Sequence, residues 1–318
     1  MKSSLSCYLL SFSFLVLNYN SYSQNAKIEI ETINNDDNSV DLLYEKNLPG
    51  SYVIKLNFSN ITNCYTYEYN TVVKNFSGKL LRLTPNDPKV GIGFSLNYIY
   101  SLGVPNPKID PDFVYHLPFK KGKKIRVDLA QDITVKYFGK EKQSDWFSFV
   151  VNSENTDTIC SIRKGIVIDI INDFDTSISD DLQYTNKRNS IVVEHPDGTF
   201  AEYTGFKRNE IFVNIGQQIY PQTELGTIDL LNNVYRFDFC IYYKSIVKRA
   251  VPTNSKNAST DTVYKFLSPY FWSEEGKVKI NSSTSCIVDS NDELIISEFT
   301  KSEKKKFFND KKSFINKK

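Results

Sequence analysis

Residues 189–206 read NSIVVEHPDGTFAEYTGF, residues 213–229 read VNIGQQIYPQTELGTID, and residues 235–243 read YRFDFCIYY. These hydrophobic, strand-like runs are punctuated by Asp197-Gly198, by Gly216 and by Gly226. An Asp-Gly pair supplies the positive φ that a tight turn between two strands needs. Gly216 follows Ile215 and Gly226 follows Leu225, positions where a barrel-like sheet must bend or where two backbones approach closely. The stretch predicts a mostly antiparallel β domain.

Further β-like runs flank it at 124–129, 133–138, 146–151 and 159–168, and again between 261 and 298. Toward the N-terminus, Tyr52, Ile54, Leu56 and Phe58 alternate with Val53, Lys55 and Asn57, and Phe94, Leu96, Tyr98 and Tyr100 repeat the pattern. Period-two alternation places one set on a buried face and the other toward water. Turn signals at Leu48-Pro49-Gly50 and at 85–88 separate five or six such strands, which suggests a small β-sandwich. A proline-rich loop at 104–111 closes it and marks the best domain boundary. The expected organisation is therefore all-β: a sandwich over 25–112, a second β domain over 115–300 and a basic tail over 301–318. Few windows show a sustained helical period, and the best lies at 298–308. From Lys301 onward eight lysines face Glu303 and Asp310, which reads as a solvated, frayed terminus with a short helix.

The first residues, Met1-Lys2, a short apolar run over 8–17 and small polar residues ending near Ser23, describe a secretory signal peptide over 1–23. The apolar run is about half the roughly 20 residues a membrane span requires, and no other segment is long and apolar enough to cross. The 318 residues carry 39 basic and 37 acidic side chains, so no global field calls for nucleic acid or an anionic membrane. Beyond the leader lie Cys64, Cys160, Cys240 and Cys286. Two disulfides with three possible pairings, or four buried free thiols, both fit an exported chain.

The punctuation of the opening stretch resembles the lysostaphin-type (LytM-like) cell-wall endopeptidases. In that family "H-x-DG-x-x-x-x-Y-x-H-L", "V-x-x-G-x-x-V-x-x-G-x-x-I-G" and "H-L-H-F" follow in order, and residues 159–168 resemble its "G-T-x-V" strand. The resemblance covers about 115–243. It implies a bacterial envelope protein and a zinc held by His and Asp, with a further His beside the attacking water. A catalytic zinc needs three protein ligands and an open water position. Here Ser148 falls on the family's Asp, Gly205 on the His of "Y-x-H-L", and Arg236 and Asp238 on the two His of "H-L-H-F". Asp145 is the only nearby carboxylate that could substitute. Of the chain's two histidines, His195 matches a family His that does not bind metal and reads as a half-exposed residue capping the Asp197 turn. His116 reads as structural or solvent-exposed.

The expectation is a catalytically degenerate member with no zinc or other cofactor. It would act as a binding or regulatory module whose partner is peptidoglycan or another cell-wall enzyme, at the periplasm, envelope or cell exterior. Its groove would be lined by Tyr203, Arg236 and Asp238, with Ser148 and Gly205 nearby. Glu202, Glu224 and Asp238 are the nearest carboxylates for acid–base work. The alternatives are an active zinc metalloendopeptidase with non-standard ligands, or a purely structural envelope protein.

Overall fold

The computed structural model describes residues 26–130, 148–175, 187–248 and 260–315; the proposed signal peptide, Asp145, the run at 133–138 and the last three residues lie outside these. The chain is all-β apart from short helices near its C-terminus, and among the described residues no helix is long and apolar enough to cross a membrane.

The first strands are β1 (Ile28–Asn34), β2 (Val40–Lys46), β3 (Tyr52–Thr62), β4 (Glu68–Val73), β5 (Ser77–Leu83) and β6 (Gly93–Leu102). They form two sheets, in the orders β1-β2-β5 and β4-β3-β6, every pairing antiparallel. The alternation in β3 is what binds them: Tyr52, Ile54, Leu56 and Phe58 are buried, with Val40, Leu42 and Tyr44 of β2 in the same cluster. Phe94, Leu96 and Tyr98 of β6 close over that core.

The second unit contains β7 (Val114–His116), β8 (Lys124–Ala130), β9 (Ser148–Ser153), β10 (Thr158–Cys160), β11 (Gly165–Ile171), β12 (Asn189–Glu194), β13 (Phe200–Ile211), β14 (Gln218–Ile219), β15 (Glu224–Ile228), β16 (Leu230–Leu231), β17 (Val234–Lys248), β18 (Thr260–Phe266), β19 (Tyr270–Ser273), β20 (Gly276–Lys279) and β21 (Thr284–Ile287). The main sheet runs β14-β11-β12-β13-β17-β9-β8-β21, with β15, β16 and β18 on its flanks and β10 paired to β15. One face of it is a continuous core that includes Ile191, Val193, Ala201, Tyr203, Phe237, Phe239, Phe149 and Phe271. The Phe149 ring of β9 stacks on Phe239 of β17, 4.9 Å apart, which supports the β9–β17 alignment, and Phe237 and Phe239 stack along β17, 5.7 Å apart.

The Asp197-Gly198 turn joins β12 to β13 as the sequence requires. Gly198 has φ +89°, the Gly198 N–H donates to His195 C=O at 3.0 Å, and Asp197 Oδ1 accepts from Thr199 N–H at 3.0 Å. At Gly226 a side chain would collide with Glu210 C=O and the Phe206 ring, each 2.7 Å from the Cβ position.

Three local expectations are corrected. The run at 159–168 is not one strand, because a turn at Ser161–Lys164 separates β10 from β11 and turns the Arg163 side chain inward. His195 is not half-exposed but 2% exposed. As far as Ile315 the tail does not fray. Helices α1 (Asp292–Ile295), α2 (Lys301–Asn309) and α3 (Lys311–Ile315) dock through Phe299, Phe307 and Phe314 around Tyr220. A capping box of Thr300 and Glu303 starts α2, and burying Phe307 contributes about 2 to 3 kcal/mol.

Candidate functional site

The residues singled out by sequence fall on β9, β13 and β17, neighbouring strands of the main sheet, but not all on one face. Register places Ser190, Thr204, Asp238 and Val150 in one row across β12-β13-β17-β9, and Val192, Glu202 and Cys240 in the next. These rows lie on the outer face, away from the core. Tyr203 points the other way. It is fully buried beside Phe237, and its hydroxyl accepts the Ile162 N–H at 3.1 Å. Burial raises its pKa well above the usual tyrosine range. Tyr203 is a core residue and lines no groove, which corrects the expectation.

Gly205 is the extra residue of a bulge, since Asn189 pairs with Phe206 while Ser190 pairs with Thr204. Its φ is +112°, and a Cβ there would overlap both the Arg188 guanidinium and Arg236 C=O. The space a side chain at 205 would fill is thus taken by Arg188, which the sequence reading did not single out. Arg188 is anchored from the next residue: the Asn189 amide donates to Phe174 C=O at 2.8 Å and Phe206 C=O at 2.9 Å, and its Oδ1 accepts Phe174 N–H at 2.9 Å.

From that anchor Arg188 Nη2–H donates to Arg236 C=O at 2.6 Å, and Nη1–H donates to Asp238 Oδ2. Arg236 donates to Asp238 Oδ1 from Nη2 at 2.8 Å and from Nε at 3.2 Å. The Asp238 carboxylate is therefore held between two guanidinium groups. Its side chain is 13% exposed, against 10% for Arg188 and 32% for Arg236. Charge-assisted bonds of this kind are short and strong, and they commit the acceptor lone pairs that a metal would need.

Ser148 is buried, and its hydroxyl donates to Phe239 C=O at 3.0 Å. A zinc shell does not fit this set: one carboxylate already bridged by two cations, a serine turned to backbone and a glycine. Among the described residues no three His, Cys, Asp or Glu side chains gather closely enough to hold a metal ion.

The acid–base candidates separate. Glu202 shares the outer face with Asp238, and its pKa is raised by burial and by the charge of Asp169. Glu224 lies elsewhere, paired to Lys120 at 2.8 Å in a depression with Lys121, Cys160, Gln222 and Lys311. The four cysteines beyond the leader are all buried free thiols, and burial pushes the Cys160 thiol up to about 12.

Burial disfavours the charged form of both histidines. His195 Nδ1–H donates to Lys164 C=O at 2.9 Å, which leaves Nε2 a buried acceptor without a partner. Burial, with the charge of Arg163, lowers its pKa strongly. His116 is 1% exposed with neither ring nitrogen bonded, and burial pulls its pKa down to about 4.

A second ionic cluster lies near the Asp197 turn. Arg163, 4% exposed, donates to Glu298 from Nη2 at 2.7 Å and from Nε at 2.9 Å. Its Nη1 donates to Asp197 and to the Tyr115 hydroxyl, each at 2.8 Å, and its guanidinium lies 3.8 Å from the Phe113 ring centre. A charged Arg-Lys pair inside an apolar run was the available signal for it.

No protein-family model matches the chain, and neither the curated proteins nor the solved structures searched contain one similar to it.

Proposed function

We propose that the chain is an exported, non-hydrolytic relative of the lysostaphin-type peptidases that binds peptidoglycan, or a wall enzyme acting on it, through the outer face of its main sheet. The observation that carries this reading is the Arg188–Asp238–Arg236 bridge packed against Gly205. It stands where the resemblance puts the metal shell, and it offers fixed positive charge in place of a Lewis acid. Guanidinium groups suit carboxylates and carbonyl oxygens, which they meet with paired donors.

Sedimentation with purified sacculi tests it. The wild-type protein pellets with sacculi and releases no soluble fragments, and Arg236→Ala pellets at least several-fold less. Stoichiometric zinc in the purified protein together with fragment release would overturn the proposal, as would failure of the wild type to pellet.

A further inference from the structure

Helix α2 turns one row of side chains inward and another outward. Glu303 and Phe307, one turn apart, face the body of the domain. Lys164 Nζ donates to Glu303 Oε2 at 2.8 Å, the Tyr220 hydroxyl donates to Glu303 Oε1 at 3.0 Å, and Phe307 is 1% exposed. Lys301, Lys304, Lys305 and Phe308 recur at the i, i+3, i+4 and i+7 positions of a different side. Lys301 and Lys305 are exposed and Lys304 is half-buried. The Phe308 ring is 67% exposed and rests edge-on against Phe307, with 5.5 Å between ring centres.

The outward row holds charge that the fold does not neutralise. Lys301, Lys304, Lys305 and their neighbour Lys306 make no side-chain ion pair or hydrogen bond among the described residues. Glu303, the one acid within α2, is held from the inside by Lys164 and Tyr220. Of the acids just upstream, Glu298 is paired to Arg163 and Asp292 to Lys311. Only Asp310, at the C-cap, adds a further carboxylate to the 299–315 segment.

Within the fold this arrangement is unfavourable. Lys301 repels Lys304 and Lys305 across one helical turn, and a cation in the first turn opposes the helix dipole. The helix holds because the capping box of Thr300 and Glu303 starts it and Phe307 is buried beneath it. Packing therefore presents the lysines and the ring as a fixed patch. A single exposed ring is ordinary on a protein surface. A ring set among unpaired lysines on one helix side has the composition of a helix that lies on an anionic bilayer.

We infer that the outward side of α2 docks on an anionic lipid bilayer. Lys301, Lys304 and Lys305 meet the headgroup phosphates, and Phe308 enters the layer between headgroups and acyl chains. Charge complementarity selects the anionic surface. Phe308 selects a bilayer over a dissolved polyanion, which has no apolar layer for the ring to enter. The inference does not depend on the binding role proposed for the main sheet.

Co-sedimentation of the full chain with vesicles at low salt tests it, using phosphatidylcholine alone and equal parts phosphatidylcholine and phosphatidylglycerol. Each lysine near an anionic surface raises partitioning about fivefold. The wild type accordingly binds the mixed vesicles at least tenfold more tightly than the neutral ones, and added salt releases it. Lys301→Gln, Lys304→Gln and Lys305→Gln together lower binding to the mixed vesicles at least tenfold, whereas Lys301→Arg, Lys304→Arg and Lys305→Arg together retain it. Phe308→Ser lowers it several-fold, and every variant unfolds within a few degrees of wild type. Failure of the wild type to bind, equal binding to the two vesicle types, or undiminished binding by the glutamine variant would each overturn the inference. Loss of binding in the arginine variant would overturn it too, by tracing the effect to the helix rather than to charge. Undiminished binding by Phe308→Ser would overturn it in favour of a patch that reads dissolved polyanions.

Discussion

Gly205→Ala strikes the bulge on which the Arg188 bridge depends. At φ +112° an L-residue lies outside even the small left-handed region, which costs about 1 to 3 kcal/mol. The new methyl also overlaps Arg236 C=O, which is fixed in the β17 ladder, and the Arg188 guanidinium, which can swing away. Overpacking of this kind costs about 1 to 3 kcal/mol, so the expected loss is about 2 to 6 kcal/mol. The two contacts separate in a double-mutant cycle. Arg188→Ala relieves the guanidinium overlap but not the backbone one, so Gly205→Ala should cost about 1 kcal/mol less in the Arg188→Ala background. Urea unfolding followed by circular dichroism, extrapolated linearly to water, measures all four corners. A Gly205→Ala loss below about 1 kcal/mol, or strict additivity with Arg188→Ala, would refute the claim that Arg188 occupies space left vacant by the glycine.

Arg163→Met leaves Glu298 and Asp197 without their shared cation in a largely buried setting. Removing one partner of such a cluster costs about 3 to 5 kcal/mol, and limited proteolysis should then cut first in the released 298–315 segment; unchanged stability would show the cluster to be dispensable. Stability should also fall as pH drops below about 6.5, the ordinary histidine value. The folded pKa of His116 is about 4 and that of His195 is also lowered, so between those values and 6.5 the unfolded chain binds protons that the fold refuses. Each histidine contributes a slope of about 1.4 kcal/mol per pH unit in that window. Comparing unfolding free energies at pH 7 and pH 5 for wild type and His116→Leu should show the smaller fall in the variant; equal falls would mean that His116 accepts its proton in the folded state.

The residues that announced themselves in the sequence did so through period and turn chemistry. Tyr52, Ile54, Leu56 and Phe58 could only be one buried side of a strand, and Asp197-Gly198 could only be a tight turn; both are local properties of the backbone. Arg188 was silent because it precedes β12 in a polar stretch and acquires its role only from Gly205 and Asp238, 17 and 50 residues further on. Tyr203 was misplaced for a related reason. Alternation says that Tyr203 and Thr204 face opposite sides, but which side is the core depends on what packs behind the sheet. Arg163 looked like an interruption of an apolar run until Glu298, from the far end of the chain, came to meet it.

Sequence alone determined the all-β class and the turn at Asp197-Gly198, because φ preferences and period-two burial are set residue by residue. It also located Arg236 and Asp238, whose pairing needs only two positions on one side of a strand. Tertiary structure decided the rest: Tyr203 in the core, Arg188 in the space beside Gly205, and the docked C-terminal helices. Each of those depends on which distant surfaces meet. Contacts formed across long stretches of chain leave little local trace, since the same side chains would fit many partners until packing selects one.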